Sequence, residues 1–142
     1  HEDLRAGVEH AHAVFVNEYE ADLLVKHTGF SAEEMQRKVP LLVITRGENG
    51  ASVHYEDRQY EIPVVPPTQI VDPTGVGDAF RGGFLRGYRL GLDPLTCGQM
   101  GALSATYCLE HSGPTNHAYT PQEYVQRYRE NFDDHGVLDV LI

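Results

Sequence analysis

Asp72-Pro73-Thr74-Gly75-Val76-Gly77-Asp78-Ala79-Phe80-Arg81-Gly82-Gly83-Phe84 reads as a loop that runs straight into a helix. Glycines at 75 and 77 leave backbone N–H groups unobstructed, and positions 76–90 carry an apolar helical pattern that Gly91 closes. The first N–H groups of a helix lack intrahelical partners and sit at the positive end of its dipole, so such a junction is an anion site. Asp78 stands at that junction. Taken alone it reads equally as a helix N-terminal acid, stabilised by about 0.3–1 kcal/mol. Beside an anion hole it reads as a base, taking a hydroxyl's proton while the amides hold the charge developing on a phosphoryl group. The stretch has neither the Gly-Lys-Ser/Thr ending of a P-loop nor a Gly-x-Gly-x-x-Gly pattern, which disfavours a Walker lysine site and a dinucleotide fold.

Upstream, positions 64–71 read as extended chain interrupted by Pro66-Pro67, and 51–55 with 58–63 flank Glu56-Asp57 as a hairpin. Leu41-Leu42-Val43-Ile44 is a continuous apolar run, which predicts a strand covered on both faces as in a parallel sheet. Thr45, Gly47 and Gly50 follow it, beyond the carboxyl end of a strand, where open α/β sheets bind ligands; a tight strand-to-strand turn is the alternative. Ser31 with Glu34 predicts a capping box, Gly29 ends a helix over 18–26, and Ala13-Val14-Phe15-Val16 is a strand delivering Asn17. Asn17 and Glu20, three apart, read by themselves as a helix cap and its reciprocal partner. Positions 2–12 predict a short helix, with His10 and His12 a solvated pair at its end. Downstream, Pro94 opens a long helix with Leu95, Gly98, Ala102, Ala105 and Leu109 in one stripe, small enough for a neighbouring element to approach closely. Thr120-Pro121 opens a last helix with Tyr124 and Tyr128 one turn apart. Alternating strands and helices argue an α/β layered domain.

The 142 residues are 41% apolar, enough for a real core, and carry a net charge of −10 with no basic run, which argues against nucleic acid or an anionic membrane as partner. Any phosphate must be held locally, by backbone donors and metal ions. Cys97 and Cys108, eleven positions apart, fall about 16 Å apart along one helix, so they read as unpaired buried thiols in a reducing cytoplasm. There is no apolar run of transmembrane length and no signal-peptide pattern. The chain opens on His1 within a helix-like pattern, so it is expected to be a fragment.

Asp72-Pro73-Thr74-Gly75-Val76-Gly77-Asp78-Ala79-Phe80 resembles the second signature of the ribokinase-like (PfkB) family of sugar and nucleoside kinases, with Val76 where the family has Ala or Cys and Pro73 where it has Thr. Asn17-Glu18-Tyr19-Glu20 is similar to the family's N-x-x-E, and Thr45-Arg46-Gly47-Glu48-Asn49-Gly50 to its T-x-G-x-x-G, in the same order and spacing. The resemblance covers nearly all of the chain and about the C-terminal half of such a kinase. It implies a three-layer α/β ribokinase-like fold, of which residues 1–142 are the C-terminal nucleotide-binding part. It implies an ATP-dependent transfer of the γ-phosphoryl group to a primary hydroxyl of a nucleoside such as adenosine. Asp78 would be the catalytic base, and Gly75, Val76 and Gly77 the anion hole. Asn17, Thr45, Gly47 and Gly50 would border ATP, and Glu20 would orient Mg²⁺ through water. Asp72 and Thr74 would belong to a K⁺ loop, with a second cation-contacting segment at 111–113. An Asx-type turn is the local alternative at Asp72. The finer likeness is to bacterial adenosine/nucleoside kinase-like members. The alternatives are a sugar kinase of the ribokinase or fructokinase kind, sharing this machinery, and a non-catalytic nucleotide-binding module. The full-length protein is expected to be cytoplasmic, with a homodimer as one arrangement the sequence leaves open, and the isolated chain to show little activity.

Overall fold

The computed structural model describes residues 12–111 and 119–142, and these divide into two units at the Ile62/Pro63 junction. Positions 2–11 of the expected 2–12 helix, His10 among them, and residues 112–113 of the 111–113 segment lie outside the described residues; His12 is exposed.

In the first unit Ala13–Asn17 (β1) lies parallel to Leu41–Thr45 (β2), which pairs antiparallel with Ala51–Tyr55 (β3), followed by Arg58–Ile62 (β4). The strand order is β1-β2-β3-β4. The expected coverage of β2 is observed: Leu41, Leu42 and Val43 are all buried. The parallel setting holds on one side alone: β1 lies parallel to β2, and β3 antiparallel. Only residues 46–50 join β2 to β3, too short for the crossover of a dozen or more residues that a parallel return needs. The hairpin falls where the sequence puts it, with Glu56 turning the chain at φ 54°.

Two helices connect β1 to β2: Glu18–Thr28 (α1) and Ala32–Lys38 (α2). Gly29 ends α1 in the left-handed region, and its N–H donates to the Val25 carbonyl. Ser31 and Glu34 form the predicted capping box of α2. One face of the sheet and these helices share a core of Phe30, Met35, Val39 and Leu42, with Val14, Val16, Leu24, Val25 and Ile44 packed against it. Val14, Val16, Leu42 and Ile44 alternate along their strands, as one buried face requires.

The second unit begins with a segment without regular secondary structure over 63–75 and continues with three helices, Val76–Arg89 (α3), Pro94–Glu110 (α4) and Pro121–Asn131 (α5), then a 3₁₀ turn over Val137–Leu141. Asp93 caps α4 through the Thr96 N–H, and Thr120 caps α5 through the Glu123 N–H, each with proline in the first turn. Tyr124 and Tyr128 are buried on one face of α5. The Tyr124 hydroxyl donates to the Met100 carbonyl at 2.9 Å, and that of Tyr128 to Gln99 Oε1.

Helices α3 and α4 run in opposite directions with their backbones close together. A Cβ on Gly83 would lie 2.5 Å from Ser104 Oγ and 2.7 Å from the Met100 carbonyl oxygen, and one on Gly101 would lie 2.9 Å from the Phe80 carbonyl oxygen. The close approach expected of α4 is therefore real but runs through Gly101, one position away from the Gly98/Ala102/Ala105 stripe. Gly83→Ala is expected to destabilise the full-length protein by about 1–3 kcal/mol through overpacking. Thermal unfolding measures it, and an unchanged melting temperature would show that the helices give way at this point.

Candidate functional site

The junction that opens α3 has the geometry of an anion site. Gly75 is the N-cap, at φ 80° and ψ 7°, a left-handed conformation that costs a side-chain-bearing residue roughly 1 kcal/mol or more and glycine nothing. The Ala79 N–H closes the first helical bond to the Gly75 carbonyl at 2.9 Å, and the Val76 N–H reaches the Pro73 carbonyl at a long 3.3 Å. The N–H groups of Gly75, Gly77 and Asp78 donate to no described residue. Asp78 occupies the third position of the helix, and its side chain is exposed, as is Gly77.

The loop before it is built rather than slack. Asp72 Oδ1 accepts the Thr74 N–H at 2.9 Å, the Asx-type turn that is the local alternative to a cation loop, and hydrogen bonds from Thr74 hold the Asp72 carboxyl below its ordinary range. The Val71 and Asp72 N–H groups both donate to the Leu109 carbonyl, at 2.7 and 3.3 Å. The Cys108 thiol donates to the Thr74 carbonyl at 3.3 Å. Burial pushes this thiol up, and the neighbouring charges of Asp72 and Asp78 push it further. Cys108 reads in the sequence as a plain buried thiol. It is buried, and it also backs the loop.

The loop's approach is tied at three more points. Thr106 Oγ1 donates to the Val65 carbonyl at 2.7 Å. Glu110 Oε2 accepts the Thr68 N–H at 2.7 Å and the Thr68 hydroxyl at 3.1 Å. Arg127 donates to both Glu110 oxygens at 2.6 Å and lies 4.7 Å above the Tyr107 ring. The Arg127 hydrogen bonds hold the Glu110 carboxyl down at about 2, against burial, which works the other way. No local pattern marked this pair, because its members stand on different helices.

In the first unit the sheet register places Asn17 opposite Thr45, so the ends of two parallel strands deliver both to one edge. Asn17 Oδ1 accepts the Glu20 N–H at 2.7 Å and Glu20 Oε1 accepts the Asn17 N–H at 2.9 Å, a complete capping box. Glu20 Oε2 accepts from no described residue. After Thr45 the chain turns through a 3₁₀ turn over Gly47–Asn49, and the Arg46 N–H donates to the Gly50 carbonyl at 2.8 Å. Gly50, at φ 84° and ψ −148°, adopts a conformation open essentially to glycine alone. Arg46 Nη1 donates to Ser52 Oγ at 2.5 Å, and that hydroxyl donates to the Glu61 carboxylate at 2.9 Å, bracing the turn against the hairpin. Burial works against ionisation of Glu61, but hydrogen bonds from Gln59 and Ser52 and the Arg46 charge hold its carboxyl below the ordinary range. Asp72, Thr74, Gly75, Val76, Gly77 and Asp78 are thus one constellation in the second unit; Asn17, Glu20, Thr45, Gly47 and Gly50 gather beyond the strand ends of the first. Among the described residues no group of three His, Cys, Asp or Glu side chains is poised to hold a metal, and no helix is long and apolar enough to cross a membrane.

Residues 1–121 match the model of the pfkB family carbohydrate kinases. The chain belongs to this family. Its fold is the α/β ribokinase-like fold, of which it carries a part. It is 31% identical over 124 residues to the nucleoside kinase of Methanocaldococcus jannaschii, covering 87% of this chain and 41% of that protein. It is 41% identical over 120 residues to the cytidine kinase of Thermococcus kodakarensis, covering 78% of this chain and 41% of that one. Among solved structures, it resembles the Burkholderia thailandensis nucleoside kinase in complex with inosine at a TM-score of 0.89 and 40% identity, over 92% of this chain and 43% of that one. The same enzyme in complex with ADP-inosine matches equally at 0.89 and 40%, over 92% of this chain and 41% of that one. The chain therefore spans about two fifths of the length of these pfkB relatives.

A carboxyl whose folded value lies below its ordinary one stabilises the fold above the ordinary value and loses that contribution as the pH falls toward the lower one. Glu110, held at about 2 against an ordinary 4.5, is expected to do so over that interval. Unfolding midpoints of the full-length protein and of Glu110→Gln should differ at about pH 6 and converge toward about pH 2.5. A gap independent of pH would remove the ion pair from the stability of this unit.

Proposed function

We propose that this chain is the C-terminal nucleotide-binding and catalytic part of an ATP-dependent kinase that transfers the γ-phosphoryl group to a primary hydroxyl of a nucleoside. The observation that carries this reading is the 72–78 junction: the N–H groups of Gly75, Gly77 and Asp78 donate to no described residue, and the Asp78 carboxylate is exposed beside them. Similarity to nucleoside kinases, one of them solved with inosine and with ADP-inosine, supports the nucleoside as acceptor.

In this reading the acceptor hydroxyl approaches Asp78, which accepts its proton as the oxygen attacks the γ-phosphorus and the bond from that phosphorus to the β–γ bridging oxygen breaks, with ADP as the leaving group. The amides of Gly75 and Gly77, with that of Val76 once it gives up its long 3.3 Å bond to the Pro73 carbonyl, receive the charge on the transferred group. Because phosphoryl transfer needs positioning and charge neutralisation more than covalent help, a preorganised anion hole and one base suffice for the protein's share. Asn17, Thr45, Gly47 and Gly50 would flank the nucleotide. Glu20 fits water-mediated contact with Mg²⁺, since the capping box uses Oε1 and leaves Oε2 exposed, and Mg²⁺ keeps most of its waters. Bound there, Mg²⁺ would neutralise phosphate charge. Asp72 and Thr74 would offer oxygens to K⁺, although the Thr74 carbonyl already accepts the Cys108 thiol and Asp72 Oδ1 the Thr74 amide. Two buried free thiols support a reducing, cytoplasmic setting.

Asp78→Asn in the full-length protein is expected to keep nucleotide affinity and lose about 10²–10⁴ in kcat, the usual cost of removing a general base. Wild-type turnover would remove Asp78 from the chemistry, and nucleotide binding without turnover in the wild type would favour a non-catalytic module.

The acceptor is tested by kcat/KM for adenosine, inosine, cytidine, ribose and fructose at fixed Mg·ATP. A purine nucleoside is expected to lead, because an unpaired buried polar group can cost several orders of magnitude in discrimination. A sugar ahead by about tenfold or more would replace the nucleoside with a sugar and leave the kinase standing.

A further inference from the structure

The last turn of α4 holds the approach to the anion site at consecutive residues. Cys108 donates to the Thr74 carbonyl, the Leu109 carbonyl accepts from Val71 and Asp72, and the Glu110 carboxylate accepts both the N–H and the hydroxyl of Thr68. Positions 68, 71, 72 and 74 are therefore set in register on one helix end, and the helix that follows them is capped by Gly75 and carries Asp78. Among the described residues, the grip of Glu110 is the one of the three held by a second helix. Arg127 on α5 donates to both of its oxygens at 2.6 Å and also reaches the Pro66 carbonyl at 3.4 Å. The Glu110 side chain is 6% exposed.

A buried ion pair kept only for stability is replaceable by apolar residues at little cost. This one has a further task, because the carboxylate oxygen that meets Arg127 also accepts a backbone N–H from the segment leading into the site. Arg127 aims the carboxylate, and the carboxylate aims the chain.

We propose that Glu110 is a positioning residue for phosphoryl transfer: braced by Arg127, it fixes the register of residues 68–74 on α4 and thereby the placement of the 75–77 amides and of Asp78. This rests on the phosphotransferase reading of that site. Glu110 touches neither the acceptor nor the phosphates in this role, so its loss lowers kcat while leaving acceptor KM nearly unchanged.

The test uses the full-length protein and four forms: wild type, Glu110→Gln, Glu110→Asp, and the charge-reversed pair Glu110→Arg with Arg127→Glu. Amide hydrogen exchange over residues 66–78, melting temperature, kcat and KM are measured on each. In Glu110→Gln the Thr68, Val71 and Asp72 amides are expected to exchange about tenfold faster or more. Its kcat is expected to fall about 10–100-fold, with nucleoside KM changed by less than about threefold. Glu110→Asp keeps the charge but draws the carboxylate back from Thr68, and is expected to fall between the two. It also carries the test if Glu110→Gln does not fold. The reversed pair is expected to regain melting temperature without regaining kcat, because an arginine at 110 cannot accept the Thr68 N–H.

Recovery of kcat together with melting temperature in the reversed pair would overturn the proposal, showing an ion pair that acts through stability alone. Wild-type kcat in a folded Glu110→Gln or Glu110→Asp would overturn it as well, and unchanged exchange over 66–78 would overturn the clamp itself. A folded wild type that phosphorylates no acceptor would overturn the phosphotransferase reading and the catalytic role with it. The exchange data, independent of turnover, separate that outcome from failure of the clamp.

Discussion

The second unit depends on how closely two helix backbones meet. At Gly83 and Gly101 there is no room for a Cβ between α3 and α4. Interiors packed to this density do not deform continuously, so the contact fixes where α3 begins relative to where α4 ends. One of those ends presents Asp78 and amides that donate to no described residue; the other holds the loop that leads to them. A site made of backbone N–H groups has no side chains to readjust, and its geometry is only as good as the placement of the helix that carries it.

The helix boundaries were legible because the signals that set them are local. Gly29, the Ser31/Glu34 box, Gly91, Pro94 and Thr120 each act within a turn of chain, and each does in the structure what its chemistry predicts. The hairpin was legible for the same reason. The partners of β2 were not, because a continuous apolar run reports that a strand is covered without reporting the direction of its neighbours. The five-residue link to β3 held that information. The approach face of α4 was read one position off. A helix buried on almost every side has no polar face to set the phase of its contacts.

The candidate site divides along the same line. The junction at 72–78 was legible from glycine spacing and the carboxylate of Asp78. At Asn17 and Glu20 one geometry serves two readings: the capping box is complete, and it still leaves one carboxylate oxygen facing outward. Glu110 and Arg127 were invisible, because a charge at the end of an apolar helix and another seventeen positions on share no periodicity. Cys108 was visible only as a buried thiol. What the sequence withholds is the set of groups that act by holding something else.

The hairpin turn at Glu56-Asp57 has a practical consequence. Both residues are exposed, and they lie at the opposite end of β3 from the Gly47–Asn49 turn, with the full length of the strand between. Glu56 already bears a left-handed backbone that glycine or asparagine would adopt more readily. Exposed tips of this kind accept inserted sequence more readily than any other part of a sheet. A fluorescent or affinity tag spliced between these two residues would hang from the end of the first unit's sheet remote from Asn17 and Thr45, making that turn the natural handle for immobilising or labelling the protein.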